Sequence, residues 1–133
     1  MLKMHKTILV VEDDAEMVEL LCFNLTAEGY RVVTAQNGFE ALTRTRSAKP
    51  DLILLDLLLP GLDGFAVCEL LKRAPATAAT PIIIVTALKS QLSRFAGLGM
   101  GAEDYLTKPF SLALLVSRVR RALGDPTENS GLA

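Results

Sequence analysis

Four acids stand where buried apolar runs end. Glu12-Asp13-Asp14 follows Thr7-Ile-Leu-Val-Val11, and Asp56 lies between Leu52-Ile-Leu-Leu55 and Leu57-Leu-Leu59. An acid inside an aliphatic run has no ordinary reason to be there, because an unpaired buried charge is costly. Carboxylates held together repel and raise one another's pKa unless a cation joins them. With no His or Cys at these strand ends, an oxygen-only donor set selects Mg²⁺ over a soft metal, and Mg²⁺ keeps several of its waters. Thr86 occupies a comparable place after Pro81-Ile-Ile-Ile-Val85, and so does Lys108 in Thr107-Lys-Pro109. A divalent cation, an ammonium, a hydroxyl and loop amides are the parts that stabilise a phosphoryl group in transfer. Each residue also has a plainer explanation. Acids after a strand cap helices, Thr is common in strands and turns, and a lone Lys before Pro is ordinarily solvated. Their joint placement after four strands is what points to phosphoryl chemistry.

The elements that must position these groups are written in the hydrophobic pattern. Thr7 to Val11, Leu52 to Leu55 and Ile82 to Val85 read as strands buried on both faces, the centre of a parallel sheet. Arg31 to Ala35 and Asp104 to Thr107 are shorter and more polar, as edge or near-edge strands are. Between them, Met17, Leu20, Leu21 and Leu25 recur at helical spacing behind a possible Asp14 cap, and Gly29 closes that helix. Ala41 and Leu42 mark a second helix, Gly64 to Arg73 a third, and Gln91 to Met100 a fourth. A fifth follows Pro109, with Leu115, Val116, Val119 and Leu123 on one face. Five βα units predict an α/β fold, a doubly wound three-layer sandwich with right-handed crossovers. If the strand order is 2-1-3-4-5, the first and third strands are neighbours at the switch point, and Glu12, Asp13 and Asp56 share one crevice.

Composition sets the outer limits. The chain has 133 residues, enough for one core that buries ~65–70% of the unfolded surface. Residues 1–124 are expected to form the domain, and the polar, turn-rich 125–133 a flexible tail or the start of a linker. A net charge of −1 gives no electrostatic footprint for nucleic acid. Apolar runs are too short for a bilayer span, and the N-terminus has no secretory signature, so a cytoplasmic protein is expected. Cys22 and Cys68 read as free thiols on helices. His5 reads as a solvated residue before the first strand.

Four segments, Val10-Val-Glu-Asp-Asp14, Leu54-Leu-Asp-Leu-Leu-Leu-Pro-Gly61, Val85-Thr-Ala87 and Gly101-Ala-Glu-Asp-Tyr-Leu-Thr-Lys-Pro-Phe110, occur in that order. In sequence and spacing the chain resembles the response-regulator receiver domains of bacterial two-component signalling, over about residues 6–123. The resemblance implies a flavodoxin-like (βα)5 fold with Asp56 as phosphoacceptor. It also implies Mg²⁺ held by Asp13, Asp56 and the main-chain carbonyl of Leu58, with Glu12 acting through water. Thr86 and Lys108 would bind the phosphoryl group, and Lys108-Pro109 would be cis. Asp56 would take the phosphoryl group from a partner histidine kinase or phosphotransfer protein, without turnover of an external substrate. Thr86 and Tyr105 would then switch the face made by the fourth helix, fifth strand and fifth helix, which signals to an output domain or partner. Arg94, Asp104 and Arg118 fit part of a charged dimer pattern on that face. Leu112 and Leu114 fall outside the core-facing stripe and suggest a more apolar face, for a homodimer or an output protein.

Three other functions compete. A degenerate receiver would bind partners without being phosphorylated, although the complete set of site residues counts against it. A phosphatase of similar fold would need a further acid or base and a cap, and a flavin carrier would need aromatic loop residues, scarce at 5% aromatic content.

Overall fold

The computed structural model describes residues 5–90, 93, 99 and 101–125. The three aliphatic runs form the central strands β1 (Thr7–Val11), β3 (Leu52–Asp56) and β4 (Ile82–Thr86), and the two polar ones form β2 (Arg31–Ala35) and β5 (Asp104–Thr107). All pairings are parallel, in the order β2-β1-β3-β4-β5. Alternation along each central strand splits the core in two. Leu9, Val11, Ile53, Leu55, Ile82 and Ile84 face one layer, with α2 (Gly38–Ala48) and α3 (Gly64–Arg73). Ile8, Val10, Leu52, Leu54, Ile83 and Val85 face the other, with α1 (Ala15–Ala27) and the C-terminal helix (Leu112–Leu123). Each fully buried aliphatic side chain contributes about 1.5–3 kcal/mol, which is why these strands tolerate no polar residue before their ends.

Helix starts follow from local chemistry. Asp14, Asn37, Asp63 and Ser111 each accept a backbone N–H of the first turn that they cap, and Gly29, at φ +95°, ends α1. Such caps satisfy amides that the helix itself leaves orphaned. The expected fourth helix over 91–100, including Leu92, Arg94 and Phe95, lies outside the described residues apart from Ser93, which is helical, and Gly99. Helical backbone is already present at Lys89 and Ser90. Among the described residues no helix is long and apolar enough to cross a membrane. Neither Cys22 nor Cys68 is in a disulfide, and burial pushes the Cys68 thiol up to about 11.

Leu112 corrects the sequence reading. It packs against the core beside Leu115 and Val119, with Ala122 one turn on. These positions are i, i+3, i+7 and i+10, one helical face. Leu114 is 41% exposed. Leu112→Lys is therefore expected to lose about 2 kcal/mol of unfolding free energy in urea. Leu114→Lys should stay within ~0.5 kcal/mol of wild type.

The end of the C-terminal helix is tied to the base of the sheet. Asp125 accepts from the Tyr30 hydroxyl at 2.8 Å and from Lys6 Nζ at 3.2 Å, and its own N–H donates to the Arg120 carbonyl. Arg120 pairs with Glu28 at 2.7 Å and lies 5.7 Å from the Tyr30 ring centroid. Asp125, assigned from sequence to the tail, is thus bonded into the domain, and 126–133 lie outside the described residues. Burial and the Asp125 carboxylate push the Tyr30 pKa up, so the phenol stays a donor. Burial also pushes Asp125 up, but the Tyr30 and Lys6 bonds outweigh it and hold its carboxyl below the ordinary value. A depressed carboxyl contributes stability above its unfolded pKa of ~3.9 and loses it as pH falls through the folded value. Tyr30→Phe should cost about 1 kcal/mol at neutral pH. The stability gap between wild type and Asp125→Asn should close on acidification below pH ~4, as read by urea denaturation across pH.

Candidate functional site

Two strand ends build the site. β1 runs into Glu12 and Asp13, and β3 ends on Asp56, which pairs in register with Val85 of β4. Because β1 and β3 are neighbours, carboxylate oxygens of Glu12, Asp13 and Asp56 come within 4.8 Å of one another. Glu12 and Asp56 are buried, while Asp13 is exposed at the mouth. Asp14 takes the plainer role weighed for it and caps α1.

Lys108 reaches this cluster from the end of β5. Its Nζ donates to Glu12 Oε1 at 2.6 Å and to Asp56 Oδ2 at 3.0 Å. The Lys108-Pro109 peptide is cis, as the resemblance implied. Burial pulls the Lys108 pKa down, but the two carboxylates outweigh it and hold the ammonium above its ordinary value. Glu12 is shifted up, first by burial and also by the charge of Asp56, against the opposing Lys108 bond. Three carboxylates facing one ammonium leave the crevice net negative, and every donor in the cluster is oxygen. That set fits a small divalent cation such as Mg²⁺.

Backbone amides complete the floor. Leu58 N–H donates to Asp56 Oδ1 at 2.9 Å, so each Asp56 oxygen has one donor. Thr86 is wholly buried beside Thr107, and its hydroxyl accepts a long 3.4 Å bond from Leu88 N–H. Leu58 and Leu88 are 42% and 45% exposed. Tyr105 is half-buried on edge strand β5, its N–H donating to Asp104 Oδ1.

On the expected partner face, Asp104 is engaged within the chain, to Arg118 at 2.7 Å and Arg121 at 2.9 Å. Those two arginines help hold its carboxyl below the ordinary value, although burial opposes them. Arg121 went unnoticed in the sequence, though it lies one helical turn beyond Arg118. The structure therefore brings together Glu12, Asp13, Asp56 and Lys108, whereas Asp104 stands at the opposite end of β5 from Lys108 and pairs with Arg118 of the C-terminal helix, on which Leu114 is exposed. Two glycines were also missed. A Cβ on Gly64 would stand 2.6 Å from Leu57 Cα, and one on Gly38 would overlap the Leu62 carbonyl. Only the Asn37-x-x-Glu40 capping pattern beside Gly38 was legible as a local signal.

Comparison with known proteins agrees with this geometry. The family model described as the response regulator receiver domain matches residues 8–120. The chain is 45% identical over 120 residues to the alkaline phosphatase synthesis transcriptional regulatory protein PhoP of Bacillus subtilis, covering 90% of this chain and 49% of PhoP. It is 47% identical over 117 residues to the response regulator PleD of Caulobacter vibrioides, covering 88% of this chain and 26% of PleD. The chain thus spans half or less of the length of these relatives. Among solved structures, the BeF3-activated receiver domain of Klebsiella pneumoniae RstA superposes with a TM-score of 0.80 at 36% identity, covering 89% of this chain and 98% of that one. The receiver domain of the Pseudomonas aeruginosa sensor histidine kinase PA1611, with a magnesium ion coordinated in its active site cleft, gives 0.83 at 33% identity, covering 92% and 100%. With five parallel strands in the order 2-1-3-4-5 and an acidic crevice at the switch point, this chain belongs to the response regulator receiver domain family.

Proposed function

We propose that Asp56 is the phosphoacceptor, taking a phosphoryl group from a phosphohistidine of a partner kinase or phosphotransfer protein. The observation that carries this reading is the convergence of three carboxylates and one ammonium, from three strand ends, on a single crevice. An Asp56 oxygen attacks phosphorus, the phosphorus–nitrogen bond to imidazole breaks, and an acyl phosphate forms. Water later releases inorganic phosphate, so the domain assists its own loading and unloading and turns over no external substrate. Asp13, Asp56 and the Leu58 main-chain carbonyl would hold Mg²⁺, which supplies charge neutralisation when bound. Both Glu12 oxygens already accept bonds, from Lys108 and from Asp14 N–H, which supports a role for Glu12 through water. Lys108 transfers its bond from Asp56 to the phosphoryl oxygens, and the Thr86 hydroxyl turns toward them.

Signal output is part of the same proposal. Movement of Thr86 frees space for the half-buried Tyr105 ring, and the β5 and C-terminal helix face repacks in a shift between two populations. Asp104, Arg118 and the exposed Leu114 make this face a candidate for homodimerisation or for docking an output protein, once Asp104 exchanges its internal partners. Arg94 would belong to the same face. Residues 1–124, with Asp125 as their anchor, are proposed as the receiver unit, acting in the cytoplasm and making no direct contact with nucleic acid. The test is intact-mass analysis after incubation with acetyl phosphate. A single phosphoryl mass gained with Mg²⁺ and absent under chelation is expected. No gain under any condition would favour a receiver that only binds partners.

The crevice mouth predicts a long-lived acyl phosphate. The exposed Leu58 and Leu88 side chains cannot orient an attacking water by hydrogen bonding. The Leu58→Asn, Leu88→Glu double variant should lose its phosphoryl mass at least ~10-fold faster than wild type once donor is removed. Equal or slower decay would refute this.

A further inference from the structure

The loop joining β3 to α3, residues 57–63, carries the Leu58 backbone, whose N–H donates to Asp56 Oδ1. Both of its ends are pinned. Leu57 is buried, and its carbonyl accepts from Gly64 N–H at 3.3 Å, which closes the loop on itself. Gly64 sits so tightly on the strand end that a Cβ there would stand 2.8 Å from the Asp56 carbonyl oxygen. Asp63 is engaged as well, capping α3 through Ala66 N–H at 2.9 Å. A push on the middle of the loop is therefore carried within residues 58–62.

That middle rests on the start of α2. A Cβ on Gly38, the first residue of the helix, would overlap the Leu62 carbonyl oxygen and stand 2.8 Å from Leu62 Cβ. A Cβ lies one carbon–carbon bond, about 1.5 Å, from its Cα. The overlap thus places the Gly38 Cα itself within about 4 Å of that oxygen, in direct contact. Gly38 is buried although it opens a helix. Backbone freedom does not explain a glycine here, because its φ is not left-handed and glycine is a poor helix former. What the position requires is the missing side chain. The helix start is also held in place. Asn37 Oδ1 accepts from Glu40 N–H and Glu40 Oε1 accepts from Gln36 N–H, both at 2.8 Å, in the reciprocal pattern that fixes a helix start. One residue before Gln36, the Ala35 carbonyl accepts from Glu12 N–H at 3.0 Å.

We propose that Gly38 is a positioning residue for the phosphoacceptor site: its bare Cα lets the Leu62 carbonyl settle on the start of α2, and that contact holds the loop that presents the Leu58 backbone beside Asp56. The inference rests on the reading of Asp56, Asp13 and the Leu58 carbonyl as the Mg²⁺ site. Groups that orient ligands from outside the ligand set typically change metal affinity ~10-fold or more when altered. In Gly38→Ala the Mg²⁺ dissociation constant, by calorimetric titration, should rise ~10-fold. Without added metal, the Leu58 amide should lose protection from hydrogen exchange, because its bond to Asp56 Oδ1 is disturbed. Leu71→Ala, which opens a cavity at the far end of α3 in the same core layer, should lower the urea midpoint yet leave Mg²⁺ affinity unchanged. An equal rise in the Leu71→Ala dissociation constant would reduce Gly38 to a packing residue and overturn the proposal. A loop that absorbed the added methyl at Gly61 would leave affinity and Leu58 exchange unchanged in Gly38→Ala, which also overturns it. Should Gly38→Ala fail to fold, Leu62→Gly tests the same contact from the loop side by removing the Cβ beside Gly38. Wild-type affinity and Leu58 exchange in that variant overturn the proposal. Absence of Mg²⁺ binding by the wild type would remove the underlying site reading. In that event the metal-free exchange of Leu58 decides the role of Gly38 alone, and unaltered exchange overturns it.

Discussion

Asp56→Asn is expected to abolish phosphoryl uptake from acetyl phosphate with Mg²⁺ present, leaving the intact mass unchanged where wild type gains one phosphoryl group. The substitution is close to isosteric, and the side-chain oxygen that accepts Leu58 N–H is retained. The loop therefore keeps its shape, and loss of uptake reports loss of the nucleophile. A carboxamide oxygen lacks the negative charge needed to attack phosphorus and form an acyl phosphate. Asp13 is exposed at the mouth of the crevice and is the natural competitor for modification. Full labelling of Asp56→Asn, mapped to Asp13 or elsewhere by peptide mass analysis, would falsify the assignment.

The second large effect is expected at Lys108. Its ammonium is mostly buried, 2.6 Å from Glu12 and 3.0 Å from Asp56. Among the described residues Lys108 is the cation that bridges Glu12 and Asp56, so in the proposed transfer it would follow charge from the carboxylate onto the phosphoryl group. Removing such a preorganised donor costs about 10²–10³ in rate, so Lys108→Met should load at most ~1% as fast as wild type at saturating Mg²⁺. Metal affinity should move the other way. Without the ammonium, Glu12, Asp13 and Asp56 present a more negative cluster, and Coulomb attraction for a divalent cation grows. Slower loading with tighter Mg²⁺ binding separates a role on the phosphoryl group from simple scaffolding, which would weaken both. A loading rate within ~3-fold of wild type would show that Lys108 serves only to neutralise the resting site.

How far the molecule could be read from its sequence depended on how local each cause is. Strand and helix periods are properties of neighbouring residues, so Thr7–Val11, Arg31–Ala35 and Asp104–Thr107 were placed with their observed bounds. β3 and β4 each run one residue further than expected, onto Asp56 and Thr86 themselves. Burial on both faces marked β1, β3 and β4 as central, and acids, Thr and Lys at strand ends fall on one edge of any parallel sheet. The family signatures then matched those positions in order.

What needed tertiary structure were contacts between residues distant in sequence. Lys108 meets Glu12 across 96 positions and Asp125 meets Tyr30 across 95, and neither pairing leaves a periodic trace. Leu112 lies at the helix start, where a stripe has only one flank to define it, and its core contact emerged from packing on the sheet. Gly38 and Gly64 look like ordinary helix-start residues until the loop at 57–63 is laid across them. The sequence by itself determined which chemical groups reach the crevice, because strand ends are local and the sheet is parallel. Only the tertiary structure decided how those groups pair and what holds the loop beside Asp56, because close packing depends on the shapes of segments that meet only when the chain has folded.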